Sequence, residues 1–307
     1  MTARAAVAVG GGTGLPRVLG CLLRGGFDTT AVVTVADDGG SSGHLRRELG
    51  ILPPGDIRNC LVALADPDSE LARVFQYRFA EGEGLAGHAL GNLIIAALTD
   101  LEGSFASAVE EAGRLLGVRG RVLPSTLADV VLSARDASDR LVTGQANVAL
   151  SPGPLRTVCL EPAMPPAYEP ALEAIQDADL VVVGPGSLFT SIIPNFLVAG
   201  IADAVRTSEA RVIYVCNVAN QRGETSAMDA ADHTEALLRH GLEGAVDAVL
   251  VNATPIPDEA CPVCATPNAI MRIERHGIRV VSADLADRTS PLHHDADRLY
   301  DALAGVW

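Results

Sequence analysis

The 307-residue sequence contains no lysine; all 23 of its basic residues are arginine. Without a lysine amine there is no Schiff base to a carbonyl substrate, no ordinary pyridoxal-phosphate anchor and no P-loop lysine. Positive charge is scarce as well. The 38 acidic residues leave a formal net charge of −15, which repels phosphate backbones and argues against a nucleic-acid binder or a basic membrane-surface protein. No stretch approaches the ~20 apolar residues of a membrane span, and Met1 to Val9 carries no long apolar segment with a cleavage signature. The expectation is a cytoplasmic protein. There is no disulfide framework among the six cysteines: Cys21, Cys60, Cys159 and Cys216 sit in apolar runs, where a thiol acts as a small core residue. Cys261-Pro262-Val263-Cys264 has redox or half-zinc spacing but lacks a second CxxC or a local His pair, so it reads as incidental thiols. A nucleophile elbow and a Ser/His/Asp order are also missing, which leaves hydrolytic nucleophilic catalysis without support.

What the chain does contain is strands alternating with helices. Val7 to Val9 run into Gly10-Gly11-Gly12-Thr13-Gly14, and Leu15 to Leu23 then read as a helix. A second strand, Ala31 to Ala36, ends in Asp37-Asp38 and Gly39-Gly40-Ser41-Ser42-Gly43, and a helix follows from Ile57 to Ala65. Residues 66–118 read as mainly helical. Residues 119–160 read as a small antiparallel patch containing Val130 to Leu132 and Leu141 to Thr143. Leu180 to Val183, Val212 to Val215, Ala248 to Val251 and Arg279 to Val281 are short apolar strands, separated by helical stretches near 196–206, 229–240 and 267–276. The pattern predicts an α/β fold over 1–307: a mostly parallel sheet covered by helices on both faces, with the helical and antiparallel pieces as an insertion.

Four loops lie where strands end or helices begin, the place where free backbone N–H groups converge in such a sheet. The first, Gly11, Gly12, Thr13 and Gly14, is either a phosphate cradle or a tight turn. Leu15 stands where a strict dinucleotide fingerprint has Gly or Ala. In the second, Asp37 and Asp38 are placed to meet a ribose or to hold Mg2+, with Ser41 and Ser42 beside them and Asp56 as a further carboxylate or a helix N-cap. The third holds His88 and Asn92 at a helix entrance; the histidine is either structural or an acid–base group. The fourth, Gly184, Gly186, Ser187, Thr190 and Ser191, supplies hydroxyls and close backbone approach, and Asn195, Asn217 and Gly223-Glu224-Thr225 extend its rim.

Taken together, GGGTGL at 10–15, TVADDGGSSG at 34–43, PPGDIRN at 53–59, GHALGNL at 87–93, GPGSLFTSIIPN at 184–195 and CNVANQRGET at 216–225 resemble the gluconeogenesis-factor (YvcK) family. That family is related to the 2-phospho-L-lactate transferases (CofD-like). The resemblance implies a Rossmann-like fold, binding of a nucleotide sugar with UDP-N-acetylglucosamine foremost, and a role in cell shape, cell-wall precursor supply and gluconeogenic growth. The transferase relatives imply Mg2+ at positions matching Asp38 and Asp56, so a regulatory binding protein and a phospholactate-type transferase are both open. A protein partner and a homodimer are expected of the former and of this fold size. Three positions depart from the family pattern: His44 and His293 stand where arginine is usual, and Phe189 replaces a tyrosine. Arg46 and Arg47 are the nearest residues to make up the lost charge.

Overall fold

The computed structural model describes residues 3–136, 138–151, 155–257 and 261–307. Seven strands form one parallel sheet: β1 (Ala5–Gly10), β2 (Asp28–Val33) and β3 (Arg121–Pro124), and, after a small second sheet made by β4 (Val131–Asp136), β5 (Leu141–Thr143) and β6 (Leu155–Glu161), the strands β7 (Leu180–Val183), β8 (Arg211–Val215), β9 (Ala248–Asn252) and β10 (Arg279–Ala283). The order across the main sheet is β10-β9-β8-β7-β1-β2-β3, and the small antiparallel sheet runs β5-β4-β6. β7 and β9 are buried at every residue, and β1 and β2 at all but the first. Sequences of that kind, near-continuous in Val, Ala and Leu, belong to strands covered on both faces.

The order of the sheet fixes where a ligand can sit. From β1 the chain moves outward to β2 and β3, then returns to the other side of β1 and runs outward again from β7 to β10. The switch point therefore lies between the carboxyl ends of β1 and β7, where the connecting loops diverge and leave a crevice. The first seven helices in chain order are α1 (Leu15–Arg24), α2 (Gly40–Leu49), α3 (Gly55–Leu64), α4 (Glu70–Gln76), α5 (Leu90–Glu102), α6 (Phe105–Leu116) and α7 (Gln145–Ala149), of which α1 and the end of α7 reach the crevice. α1 shows why its sequence is helical: Pro16 stands in the first turn, and Leu15, Val18, Leu19 and Leu22 bury one stripe.

The structure moves several expected boundaries. β3 belongs to the main parallel sheet, paired with β2 from Thr30 opposite Arg121 to Val33 opposite Pro124, so the antiparallel patch begins after it rather than at residue 119. The second strand ends at Val33 instead of Ala36. One neighbour ends there: β1 stops at Gly10, whose carbonyl takes the Thr34 N–H. α3 starts at Gly55, two residues before Ile57, and the 196–206 helix is two pieces, Ile193–Phe196 and Ile201–Thr207, separated by Gly200 at φ +88°. Cys21, Cys60 and Cys216 are buried, but Cys159 points outward from β6. Parts of the 119–160 and 253–267 stretches lie outside the described residues.

Candidate ligand-binding site

A cleft of about 580 Å3 opens at the switch point, lined by Thr13, Gly14 and Arg17 from the β1 side, Gly186 and Ser187 after β7, and Asn217 and Arg222 after β8. The volume falls within the ~300–1,000 Å3 range of small-molecule sites. α1 enters it by its N-terminus. Its N-cap is Gly14, no side chain caps it, and no acidic residue stands in the first turn. Backbone N–H groups and the positive end of the helix dipole thus face the cleft without a protein anion to answer them.

The two glycine loops touch each other. A side chain added at Gly14 would begin 2.5 Å from the Pro185 carbonyl oxygen, a backbone atom that cannot step aside. Gly12 instead needs its left-handed φ of +67°, and it turns its N–H to Asp56 Oδ2 at 2.7 Å. Gly14→Ala is therefore expected to push the loops apart, costing about 1–3 kcal/mol of stability and the cleft's ligand affinity with it. Urea unfolding and a ligand titration check both.

The β7 loop is braced from within. Asn217 Oδ1 accepts the Gly186 N–H at 3.1 Å, and Asn217 Nδ2 donates to the Gly186 carbonyl at 2.7 Å. Asn195, fully buried, donates to the carbonyls of Gly10, Ser191 and Ile192, so it ties the two loops together from below and does not face the cleft. Thr190 is likewise committed: the buried Glu224 accepts the N–H groups of Phe189 (2.7 Å) and Thr190 (3.2 Å), and the Thr190 hydroxyl donates to its second oxygen at 3.2 Å. Burial lifts the Glu224 carboxyl to about 7 against the pull of those donors. Ser191 is buried with its hydroxyl over Gly12, and Gly184, at φ +73°, packs under Ile192.

The acidic residues divide differently from the expectation. Asp38 accepts the N–H groups of Gln145 at 3.0 Å and Ala146 at 2.8 Å, so both its oxygens serve the start of α7. Asp56 is no N-cap; it lies in the first turn of α3, behind Pro54, and reaches the β1 loop. Burial first, and then the charge of Asp37, raise its carboxyl to about 6. Asp37 accepts the Gly39 N–H at 3.0 Å and is also raised, chiefly by burial. Asp56 is thus the carboxylate beside Gly11 and Gly12, and Asp37, whose charge acts on it, stands by Gly55, whose N–H Ser42 holds.

Ser41, His88 and Asn92 form a separate buried network. Ser41 Oγ pairs with His88 Nδ1 at 3.0 Å and accepts from Asn92 Nδ2 at 3.0 Å, while Arg58 donates to Asn92 Oδ1 at 3.2 Å. His44 is exposed on α2 and sets its ring edge against His88. Arg46 does not replace the missing arginine in the cleft, because it pairs with Asp129 and the Val130 carbonyl.

Sequence reasoning missed the two arginines that do line the cleft, Arg17 and Arg222. Arg17 follows Gly14 by three residues, one helical turn along, which was the available signal. It donates to the His294 carbonyl at 2.5 Å and so anchors the C-terminal segment carrying His293 to the rim. His294 itself is buried, donates to the Cys216 carbonyl at 3.1 Å, and is pushed down to about 4 by desolvation, so it is neutral.

Known proteins share this architecture. The sequence pattern of the family "2-phospho-L-lactate transferase CofD" matches residues 6–286. The gluconeogenesis factor of Halalkalibacterium halodurans is 40% identical over 97% of this chain and 94% of its own. That of Bacillus subtilis is 48% identical over 81% of this chain and 79% of its own. The crystal structure of a UPF0052 family protein from Bacillus halodurans superposes with a TM-score of 0.92 at 40% identity, covering 99% of both chains. The chain belongs to the CofD family, on the branch of the gluconeogenesis factors.

Proposed function

We propose that the cleft binds a nucleotide diphosphate sugar, with UDP-N-acetylglucosamine its first ligand, and that occupancy is read by a protein partner controlling cell-wall precursor supply and cell shape during gluconeogenic growth. The observation that carries this reading is the meeting of the uncapped α1 N-terminus with Arg17 and Arg222 in one crevice. Helix N–H groups suit a diphosphate, and arginine adds bidentate charged hydrogen bonds. In a chain of net charge −15, such a pocket is a local exception to the overall field. Of the three hydroxyls of the β7 loop, Thr190 spends its proton on the buried Glu224, and among the described residues no histidine hydrogen-bonds Ser187 or Ser191.

The second reading, a Mg2+-dependent transferase, is favoured by the pair Asp37 and Asp56. Mg2+ takes one or two carboxylates and completes its shell with phosphate oxygens and water, and two buried carboxyls, both raised chiefly by burial and with the charge of Asp37 acting on Asp56, fit that donor set. Asp38 already accepts one N–H on each oxygen from the start of α7, which leaves it fewer lone pairs for an ion. Bound there, the ion would neutralise charge on a diphosphate donor. Among the described residues no three His, Cys, Asp or Glu side chains gather as a metal cluster, and no helix is long and apolar enough to cross a membrane.

Calorimetric titration with UDP-N-acetylglucosamine, GDP and NAD, each with and without Mg2+, separates the readings. The regulator predicts binding of the UDP-sugar without Mg2+ and no product after long incubation. GDP binding that requires Mg2+, with the UDP-sugar inert, would favour the transferase.

A further inference from the structure

Arg58 is 5% exposed, and its guanidinium meets no carboxylate: Nη1 donates to Asn92 Oδ1 at 3.2 Å, Nη2 donates to Asn59 Oδ1 at 2.6 Å, and the buried Nε has no partner. The charge of Asp56 acts on Arg58 without contact, its Oδ2 being turned to Gly12. A buried charge hydrogen-bonded only to neutral amides costs several kcal/mol, and folds retain such charges where a counter-charge arrives from outside. Its surroundings sharpen the imbalance. Asn92 and Ser41 lie in the first turns of α5 and α2, and Arg58 itself sits near the start of α3. Neither α2 nor α5 has a side-chain cap, both are ten residues or longer, and α5 packs against α2 and α3; α3 differs, with Asp56 in its first turn and Ser42 Oγ on its Gly55 N–H. The Arg58 side chain lies over the beginning of α5, with Cδ 2.8 Å from where a Gly91 side chain would start. The charge of Arg78 acts on Arg58 as well.

Two positive helix ends and the buried guanidinium, with the charge of Arg78 acting on it, attract a dianion more than a single carboxylate. We propose that Arg58, with Ser41, His88 and Asn92 around it, is a second anion site that takes the phosphate group of a small phosphorylated metabolite, apart from the nucleotide cleft. Towards solvent stand His44, exposed and set edge-on against His88, and the exposed Arg78, whose Nη1 donates to the Gly87 carbonyl. The Ser41 hydroxyl and the Asn92 amide, now satisfying each other, become phosphate donors, and Nε gains the acceptor it lacks. Asp56, turned towards Gly12, repels an anion on that side.

Calorimetric titration of inorganic phosphate into four proteins tests this: wild type, Arg17→Ala, Arg58→Gln and Arg78→Ala. A phosphate site is expected to survive Arg17→Ala, to weaken at least about tenfold in Arg58→Gln and severalfold in Arg78→Ala, and to move the His44 and His88 imidazole signals in an NMR spectrum. Should Arg58→Gln not fold, the exposed Arg78 variant and the imidazole shifts decide. Phosphate binding that is absent in wild type, disappears in Arg17→Ala, or is unchanged in both node variants overturns the proposal. Because phosphate is the probe, failure of UDP-N-acetylglucosamine to bind would remove only the nucleotide reading.

Discussion

Glu224→Ala is expected to be the most destabilising single change around the cleft, by about 3–5 kcal/mol. The Phe189 and Thr190 N–H groups and the Thr190 hydroxyl all end on this one carboxyl, and each buried donor left unsatisfied costs about 1–3 kcal/mol. A cavity beneath the β7 loop adds to the loss. Glu224→Gln keeps one carbonyl oxygen for the two N–H groups and fills the same volume, so it is expected to recover most of the stability. The wild-type carboxyl also titrates. Folded, it holds its proton up to about 7 against an ordinary value of 4.5, so between those values the folded state binds more protons than the unfolded state. Stability from this group is complete below pH 4.5 and is lost as the pH rises through 7. Asp56, raised from 3.8 to about 6, acts in the same direction over a lower window. The buried His233 and His294, both pushed down to about 4, act in the opposite direction below pH 6.5, so the test is a difference: the advantage of wild type over Glu224→Gln in urea unfolding midpoint should shrink as the pH rises from 4 to 8. A difference that is constant or grows with pH, or an alanine variant as stable as wild type, would show that the carboxyl does not hold the loop as described.

Arg17→Ala is expected to reduce affinity for UDP-N-acetylglucosamine about 10- to 100-fold, the range for loss of a charged hydrogen bond. The guanidinium is already oriented, since it donates to the His294 carbonyl, so little conformational freedom is lost when a diphosphate arrives. Removing it also releases the rim segment of Leu292 and His293 from α1. Two effects then add: loss of a cation and loosening of one wall. Arg17→Lys distinguishes them, because lysine restores charge without the planar fork. It should regain less than half of the lost binding free energy in calorimetry. Full recovery would mean that charge alone matters, and no effect of either variant would place the diphosphate elsewhere.

The sheet was legible because most of its strands carry short apolar runs rich in Val, Ala and Leu, bounded by glycine loops or helical stretches. β3 was not, because four residues, Arg121–Pro124, with an arginine at one end and a proline at the other carry no periodicity. Its place depends on partners distant in sequence, such as Leu64, whose carbonyl takes the Arg119 N–H. The cleft loops could be read from their glycines, but the roles of individual side chains could not. Thr190 and Asn195 have the chemistry of ligand donors and spend it inside the protein, on Glu224 and on the Gly10 carbonyl. Asp37 and Asp38 are adjacent and chemically identical, so nothing local says which one turns to α7. That choice follows from the position of Gln145 and Ala146, 107 and 108 residues from Asp38. Arg17 was overlooked because a helix surface arginine is ordinary until the helix start is known to face a crevice.

Backbone hydrogen exchange, followed residue by residue with and without UDP-N-acetylglucosamine, is the most direct test that the β1/β7 crevice is the nucleotide site. Thr13, Gly14, Gly186 and Ser187 line that crevice, and their N–H groups should become protected on ligand addition, while those in the first turns of α2 and α5 stay unchanged. Protection confined to α2 and α5, or none at the two glycine loops under saturating ligand, would contradict the account.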